Sequence, residues 1–436
     1  MPRNFLFTVV FMFSSLACFP GVCFSKTFIK VCILNTNGSV KVSGSGSWLL
    51  TDALSGRRLK SGNEDRSAIV GRNGRFLNLN GKGSWIRFKL SPSGRGAFVS
   101  ANGRRYRGRV SLWADGDHGI VVVNEIDLEE YLYGVVKAEM LISSPPEALK
   151  SQAVMSRTFA LKGKKRHGNT AYDLCSTTHC QVYGGVESED PRAKKAVDHT
   201  RGYVLMYQGE LIKAFCTAVC GGHSSANHLV WSGRAIPYLR GVLCSYCGNS
   251  PNFMWEIKFS DEDLGRYLRS AGFDLERVEA IEAVEVTPSG RVRTLIIHHP
   301  AGQFSIGGNK FRLAIDPRAL KSTMFSVIKI KEHDYSGKIE RLVEQLQEDK
   351  QQESSDQVVR DIIGLIRARR GDDSSGESSL SHPEVEEKQQ FLFRGKGYGH
   401  GVGLCQWGAR NMAKRRYRFQ NILKHYYPGV KVQLYR

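Results

Sequence analysis

The segment from Leu128 to Leu161, LEEYLYGVVKAEMLISSPPEALKSQAVMSRTFAL, constrains the fold of this chain more than any other part of its sequence. Two prolines followed by helix-forming residues predict a helix over 145–162, because proline is favoured at the first helical positions. Ser144 and Glu147 match a capping box at its start. Small or apolar residues recur at helical spacing along one face, namely Leu149, Ala153, Ser156 and Ala160. This pattern predicts a helix that packs closely against its neighbours.

A single carboxylate, Glu139, ends the apolar, tyrosine-flanked run that precedes this helix. A carboxyl group at such a junction is expected to be partly removed from water, which raises its pKa and suits it to general acid catalysis. The alternative is a solvated glutamate that interacts only with a helix dipole. Position alone leaves both interpretations open.

The N-terminus has the pattern of a secretory signal peptide over residues 1–25. Arg3 supplies the positive charge, Phe5 to Phe19 the apolar stretch, and Cys23-Phe24-Ser25 a small-residue cleavage site. A lipoprotein site at Cys18 is an alternative, but we expect cleavage after Ser25. The mature protein is therefore predicted to be exported to the periplasm or cell envelope.

The net charge of +20 is distributed unevenly along the chain. The stretch from Lys331 to Gln390 contains 15 acidic and 9 basic residues, a net charge of −6, which leaves +26 for the remainder. An exported protein this basic is expected to meet an anionic partner, such as a wall polymer, an acidic glycan or a membrane surface. Solubility alone is the alternative. Nucleic acid is not an expected partner, because the chain carries an export signal and lacks a basic run with interleaved aromatic residues.

Composition and patterning predict an α+β fold in several regions. Residues 26–125 are β-rich, with short apolar stretches between Gly, Asn and Ser turns. Residues 126–331 and 391–436 mix helices and strands and are predicted to form a catalytic region with a cleft. A second helix is expected to start at Asp190-Pro191 and to stop at Gly202. Residues 332–390 are polar and low in complexity, and we interpret them as a partly disordered insertion.

Eight cysteines remain after cleavage of the signal peptide, and six of them form close pairs: Cys175/Cys180, Cys216/Cys220 and Cys244/Cys247. Disulfides are the default in an exported protein, although their connectivity cannot be derived from sequence. Metal binding stays open. In particular, Cys175, His179 and Cys180 could supply three corners of a tetrahedral zinc site. A disulfide beside a surface histidine explains the same spacing equally well.

Two glycine-rich stretches are candidates for ligand contact. In AFCTAVCGGHSSAN, residues 214–227, Gly221 and Gly222 would let the backbone approach a ligand closely. In GKGYGHGVGLCQWGARNMA, residues 395–413, glycines frame His400, and Gln406 precedes a helix expected to open at Gly408. This pattern suits a backbone-lined sugar groove. A plain strand–turn–strand and a structural buried histidine are the respective alternatives.

The motifs YLYGVVKAEM, PPEALKSQAVMSRTFAL, DLCSTTHCQVYGG, CGGHSS, GYGHGVGLCQWGARNMA and ILKHYYPG occur in this order. Together they resemble the stage II sporulation protein D / amidase enhancer family (SpoIID/LytB). The resemblance covers about Ile120 to Tyr427, interrupted at 332–390. It implies a peptidoglycan lytic transglycosylase that cleaves glycan strands, preferably after their peptides have been removed. Cys405, where serine is common in the family, is one departure, and the insertion is another.

The resemblance also assigns residues. The glutamate of the family's AEM motif, its catalytic acid, falls on Glu139. The CSTTHCQVY tract implies a structural zinc site that uses Cys175, His179 and Cys180, with His167 as a further candidate. The glycine-rich motif places His400 and Gln406 in the cleft. Glycan contacts are accordingly predicted for the following residues: His400, Gln406, Tyr133, Gly221 and Gly222.

A transglycosylase of this kind needs one carboxyl group, so Glu139 would act first as general acid and then as general base. A hydrolase would need a second carboxylate about 5–10 Å away. Three acidic residues lie upstream, Asp127, Glu129 and Glu130, but the sequence does not place them at the sugar.

Two other functions are considered. The first is a non-catalytic glycan-binding enhancer of a cell-wall amidase, since part of the family carries that description; an N-acetylmuramoyl amidase is a candidate partner in either case. The second is a thiol hydrolase that uses Cys216 or Cys220 with His223.

Overall fold

The computed structural model describes residues 26–63, 66–116, 119–164, 166–168, 170–333, 362–363 and 387–435. The predicted signal peptide lies outside these residues, as does most of the predicted insertion. The architecture is α+β, with a β-rich N-terminal region, as the sequence predicts. None of the helices in the described ranges is long and apolar enough to cross a membrane.

The N-terminal region forms one 11-stranded sheet. Its strands are β1 (Phe28–Thr36), β2 (Val40–Asp52), β3 (Arg58–Gly62), β4 (Ala68–Asn73), β5 (Phe76–Leu79), β6 (Lys82–Trp85), β7 (Arg87–Ala101), β8 (Arg104–Tyr106), β9 (Arg109–Ala114), β10 (Ile120–Asp127) and β11 (Leu174–Cys175). The order is β11-β1-β10-β9-β7-β2-β4-β5-β6, with β3 paired to β2 and β8 to β7. Neighbours are antiparallel except for β1 and β11, which are parallel, so Cys175 lies opposite Cys32.

Eight α-helices occur among the described residues. They are α1 (Leu128–Glu139), α2 (Pro146–Lys162), α3 (Pro191–Asp198), α4 (Asn227–Val230), α5 (Asp261–Ser270), α6 (Gly308–Ile315), α7 (Gln406–Lys414) and α8 (Phe419–Tyr426). Strand β10 runs directly into α1, because the Asp127 carboxylate accepts hydrogen bonds from the N–H groups of Glu129 and Glu130 and so caps the helix. Helix α2 is the helix predicted over 145–162, and its small-residue face is fully buried.

Helix ends depart from the prediction in three places. The capping box at α2 is wrong: Pro145 is the N-cap, and the buried Ser144 hydroxyl has no hydrogen-bond partner among the described residues. The Glu147 carboxylate instead accepts from the Phe419 N–H at 2.8 Å, which ties α2 to α8. Helix α3 ends at Asp198, with turns up to residue 202, and α7 begins at residue 406 rather than 408.

A buried ion pair joins α1 to α2. The Arg157 guanidinium donates to both oxygens of Glu129, at 2.8 and 2.6 Å, and Arg157 is 1% exposed. Its remaining bonds go to the carbonyls of Val197 and Tyr203. The pair therefore fixes the start of α1 against α2 and the segment that follows α3.

Two small sheets complete this part of the molecule. One contains β12 (Tyr203–Tyr207), β13 (Glu210–Leu211) and β22 (Lys431–Leu434) in the order β13-β12-β22. In the other, β14 (Cys216–Thr217) pairs in parallel with β21 (Leu404–Cys405). These two sheets share one hydrophobic core with α1, α2 and the 11-stranded sheet.

A second hydrophobic core lies between Trp255 and Phe393 and was not predicted. Its sheets are β15 (Met254–Ser260) with β19 (Phe325–His333) and β20 (Glu387–Lys396), and β16 (Ala280–Val286) with β17 (Val292–His299) and β18 (Gly302–Gly307). Helices α5 and α6 cover them. Strands β19 and β20 pair as far as His333 and Glu387, so they reach into both ends of the predicted insertion 332–390. Residues 334–361 and 364–386 of that insertion lie outside the described ranges.

Candidate active site

Glu139, the last residue of α1, lies where three segments of the chain meet. Its Oε1 accepts a hydrogen bond of 2.9 Å from the backbone N–H of Val182. Its backbone carbonyl accepts one from the side-chain amide of Gln406. The predicted catalytic acid and one predicted cleft residue are therefore in contact, although 267 positions separate them in the sequence.

The environment of Glu139 favours the protonated carboxyl group. Burial raises its pKa above the ordinary value of 4.5, and the hydrogen bond from Val182 lowers it only in part. No ion pair in the described part of the chain involves Glu139. A carboxyl group in this state can donate a proton at a pH where an exposed glutamate is ionised.

Gln406 is the first residue of α7 and contacts Gln152, which the sequence did not single out, and Cys216, which it offered only as a paired cysteine or a candidate nucleophile. Its Nε2 is 3.4 Å from Oε1 of Gln152 and 3.7 Å from Sγ of Cys216. Gln152 is fully buried on α2 and donates to the Ser156 hydroxyl at 3.1 Å. The sequence did contain a signal for Gln152, since it is a polar residue beside the predicted small-residue face of α2. Nothing in the sequence indicated that Cys216 would contact Gln406.

His400 is a neutral imidazole packed among aromatic side chains. Its Nδ1 accepts from the Val402 N–H at 3.0 Å, and its ring lies 4.9 Å from that of Trp231. Burial, with the charges of two nearby arginines, lowers its pKa to about 3 despite a hydrogen bond to the backbone of Cys216. Cys216 thus touches His400 through its backbone and Gln406 through its sulfur. At neutral pH, His400 can donate or accept a hydrogen bond but carries no charge.

The glycines of the two predicted ligand loops pack mainly against the protein itself. Gly403 has φ +78°, and a Cβ there would lie 2.0 Å from the Phe215 carbonyl oxygen. Gly221 has φ +79°, and its Cβ would lie 2.9 Å from Met324 Sδ. Gly222 faces open space, and its carbonyl accepts from the Cys244 N–H at 2.8 Å. Backbone conformation and close loop packing account for this glycine pattern, and neither Gly221 nor Gly222 forms a hydrogen bond with Glu139 in the described part of the chain.

Tyr133 lies on α1 at its contact with α3. Its hydroxyl donates to Asp198 at 2.7 Å, and the Lys194 ammonium is 5.2 Å from its ring centre. Six residues separate Tyr133 from Glu139, which corresponds to about 9 Å along the helix and a different side of it. The structure does not bring this predicted glycan contact to the carboxyl group.

A cluster of four potential ligands precedes Val182: His167, Cys175, His179 and Cys180. Their donor atoms all lie within 4.8 Å of one another. Cys180 Sγ is 3.3 Å from His167 Nε2 and 3.5 Å from His179 Nδ1, and Cys175 Sγ is 3.7 Å from His179 Nδ1. These separations match the edges of a tetrahedral zinc site with two thiolates and two imidazoles. The three predicted ligands come together, and His167 completes the set.

The chemistry of Cys175 suits the same metal. Burial raises its pKa, but hydrogen bonds involving Thr177 and His179 outweigh this and lower the pKa to about 7. Strand β11 holds Cys175 on the large sheet, and Val182 follows Cys180 by two residues. The cluster therefore lies directly before the residue whose N–H donates to Glu139.

The upstream carboxylates have other roles. Asp127 caps α1, and Glu129 is bound to Arg157. Both lie near the opposite end of α1 from Glu139, as does Glu130, at a distance of about 14–18 Å along the helix. This is beyond the 5–10 Å or so that separates the two carboxyl groups of a glycosidase.

The thiol-hydrolase hypothesis finds no support in the geometry. His223 directs its Nδ1 at the Ser224 carbonyl, 2.6 Å away, and among the described residues it forms no hydrogen bond with Cys216 or Cys220. Burial raises the pKa of the Cys216 thiol, which disfavours the thiolate that a nucleophile requires.

The remaining cysteines form a second cluster, made of Cys220, Cys244, Cys247 and Cys405, with sulfur atoms within 4.8 Å of one another. All four are buried, and no disulfide joins the described cysteines, contrary to the default expectation. Cys220 pairs in space with the Cys244/Cys247 segment rather than with Cys216. The C-x-x-C spacing of residues 244–247 was the signal for this cluster. It is a group of side chains that could hold a metal.

Comparison with known proteins identifies relatives of the chain. A family model described as Stage II sporulation protein matches residues 116–207, which include Glu139, Val182 and the His/Cys cluster. An uncharacterized protein of Brachyspira hyodysenteriae is 30% identical over 332 residues, which cover 76% of this chain and 73% of that protein. The Amidase enhancer of Bacillus subtilis is 29% identical over 82% of this chain, which spans 48% of that longer protein. The Stage II sporulation protein D of Bacillus subtilis is 25% identical, over 71% of this chain and 75% of that protein.

Proposed function

The chain belongs to the Stage II sporulation protein (SpoIID) family, and on this premise we propose that it is an exported lytic transglycosylase of peptidoglycan, with Glu139 as its general acid and base. Family membership and the name of one relative, Amidase enhancer, support a role at the cell wall. The observation that carries the finer proposal is the half-buried carboxyl group of Glu139, which has no ion-pair partner among the described residues, accepts a hydrogen bond from Val182 and belongs to a residue whose backbone is held by Gln406.

The reaction needs no second carboxylate. Protonated Glu139 donates its proton to the glycosidic oxygen as the bond from that oxygen to the anomeric carbon of muramic acid breaks. The 6-hydroxyl of the same sugar attacks the anomeric carbon, and the Glu139 carboxylate accepts the hydroxyl proton. The acid is regenerated, no water is consumed, and the product ends in 1,6-anhydromuramic acid.

Two neighbours position the acid for these steps. The Val182 N–H donates to Oε1 of Glu139, which leaves Oε2 of the same carboxyl group to face the substrate. Gln406 holds the backbone of Glu139 at the end of α1. Zinc bound by His167, Cys175, His179 and Cys180 would supply structural restraint rather than Lewis acidity, because four protein ligands leave no open coordination position.

The charge of the chain indicates which strands it prefers. Removal of the peptide frees a lactyl carboxylate on each disaccharide, so the stripped strand is a polyanion. The net charge of +26 outside residues 331–390 attracts such a strand over one whose carboxyl groups are capped as amides. An N-acetylmuramoyl amidase would then be the enzyme that supplies the substrate.

Replacement of Glu139 by Gln tests this proposal. Gln keeps the shape and the acceptor for the Val182 N–H but donates no acidic proton. We expect strand cleavage to fall about 100-fold or more, with binding to stripped strands retained. Glu130→Gln, on the same helix but far from the site, is the matched control and should cleave normally. A fully active Glu139→Gln variant would refute the proposal.

The name of the Bacillus relative supports a second candidate, a non-catalytic enhancer that binds glycan and stimulates an amidase. This function predicts that the wild-type protein cleaves no strands, raises the rate of a purified amidase, and does so equally well as Glu139→Gln. Measurement of both activities on the same preparations separates the two candidates.

A further inference from the structure

We propose that Cys220, Cys244, Cys247 and Cys405 bind one Zn²⁺ ion as four thiolates, at a second metal site that is separate from the His167/Cys175/His179/Cys180 cluster. The site is independent of the proposed reaction, because it can be occupied whether or not the protein cleaves glycan.

The four sulfur atoms have the arrangement that zinc requires. They lie within 4.8 Å of one another, and Cys220 Sγ is 3.6 Å from Cys247 Sγ. Thiolates at Zn–S distances of about 2.3 Å in a tetrahedron lie about 3.8 Å apart. All four side chains are buried, so the site is closed to solvent, as structural zinc sites are.

Hydrogen-bond donors lie against the sulfur atoms of the cluster. Cys405 Sγ accepts from the backbone N–H groups of Cys220 and Gly408, both at 3.3 Å. The Gly408 bond comes from the first turn of α7, where the helix dipole stabilises negative charge. Cys244 Sγ lies 3.1 Å from the Tyr426 hydroxyl. Buried thiolates with such donors are the usual form of cysteine at a metal.

A buried cation beside the cluster favours zinc over disulfides. Arg291 is 1% exposed, and its Nη2 donates to the Cys220 carbonyl at 2.6 Å. Its Nε and Nη1 have no hydrogen-bond partner among the described residues. A buried guanidinium is costly unless negative charge lies nearby. Four thiolates around Zn²⁺ carry a net charge of −2, whereas two disulfides carry none and would leave Arg291 uncompensated.

The position of the site gives it a structural role. It joins the loop that follows β14, the C-x-x-C segment and the start of α7. Cys405 directly precedes Gln406, whose amide holds the Glu139 backbone. Zinc at the cluster would therefore fix the first turn of α7 where it contacts α1.

Metal analysis of the purified full chain tests the site. Two zinc ions per chain are expected by mass spectrometry, one at each cluster. Cys244→Ser/Cys247→Ser should retain one, Cys175→Ser/Cys180→Ser should retain one, and Cys216→Ser, which changes a cysteine outside both clusters, should retain two. In cobalt-substituted protein, the intense thiolate-to-metal absorption of a four-sulfur site should persist in Cys175→Ser/Cys180→Ser.

A second measurement on the wild-type chain does not depend on variants that fold. The four cysteines should resist iodoacetamide until a chelator is added and react fully afterwards, in the absence of reductant. Disulfides among them would stay unreactive and would be identified by peptide mapping. That result, or a zinc content of Cys244→Ser/Cys247→Ser equal to that of the wild type, would overturn the proposal.

Discussion

At the scale of single residues, the structure shows why Glu139 holds its proton to a higher pH than an exposed glutamate does. Burial raises the pKa of Glu139, and no charged partner pulls it down again. The identity of this residue was available from the sequence through the family's AEM motif. The role of the Val182 N–H could not be predicted, because any residue except proline supplies a backbone donor. The position of this donor depends on how the preceding His/Cys loop folds.

For Gln406, too, the sequence predicted the residue but not its partners. Its motif predicted that it lies in the cleft, and the structure brings it to Glu139. The partners Gln152 and Cys216 come from segments whose meeting depends on the packing of α2, β14 and α7. Sequence spacing does not report such contacts. The glycan contact predicted for His400 stays a prediction, and the low pKa of its imidazole follows from surroundings that only the structure shows.

The raised pKa of Glu139 predicts a cost in stability at neutral pH. Because the folded state holds this proton more tightly than the unfolded chain, stability falls as pH rises from the unfolded pKa, near 4.5, through the folded one. Glu139→Gln removes the ionisable group and therefore its cost. We expect the melting temperature of the variant to exceed that of the wild type at pH 7.5, with a smaller difference at pH 4.

Thermal unfolding of both proteins at the two pH values checks this prediction, with Glu130→Gln as the control for loss of a carboxylate on the same helix. An advantage of Glu139→Gln that is as large at pH 4 as at pH 7.5 would show that the pKa of Glu139 is not raised in the folded protein.

At the scale of elements, the corner formed by α1 and α2 depends on local sequence signals for each helix and on one buried ion pair, Glu129–Arg157. Proline at its start and a small-residue face suffice to predict α2. Its capping box is wrong because the Glu147 carboxylate does not cap α2 and instead accepts from the Phe419 N–H at the start of α8, a residue 272 positions away. Local motifs predict where a helix exists more securely than how its ends are satisfied.

The buried pair Glu129–Arg157 should dominate the stability of this corner. Arg157→Met leaves the Glu129 carboxylate buried without its cation, and we expect a loss of about 3–5 kcal/mol in the free energy of unfolding. Urea denaturation measures it. The double variant Glu129→Leu/Arg157→Met should recover much of the loss, since no charge is then left unpaired. A double variant that is less stable than Arg157→Met alone would contradict this account.

At the scale of the whole molecule, the sequence predicted the composition of the fold but not its division into cores. The sequence predicted a β-rich region at 26–125 but not which elements cover it, and the structure packs its sheet against α1 and α2 in one core. The second core depends on the pairing of β15 with β20, strands about 130 residues apart in sequence, and periodicity carries no information on such pairing.

The two cysteine clusters also belong to this scale. The first was predicted because its ligands lie within one loop and resemble a family motif. The second cluster contains cysteines from three separate segments of the chain. Their spacing in the sequence therefore indicated only close pairs and not a group of four. Both clusters are linked to Glu139, one through Val182 and the other through Gln406, so that distant parts of the chain converge on a single carboxyl group.

The central claim is that Glu139 acts without a second carboxylate and without water as the nucleophile. Digestion of amidase-stripped peptidoglycan in water enriched in oxygen-18 tests it most directly, with mass analysis of the new chain ends. A transglycosylase yields anhydromuramic ends that are one water lighter than reducing ends and carry no label, and Glu139→Gln yields neither product. Reducing muramic acid ends that contain one oxygen-18 atom would show hydrolysis and contradict the account.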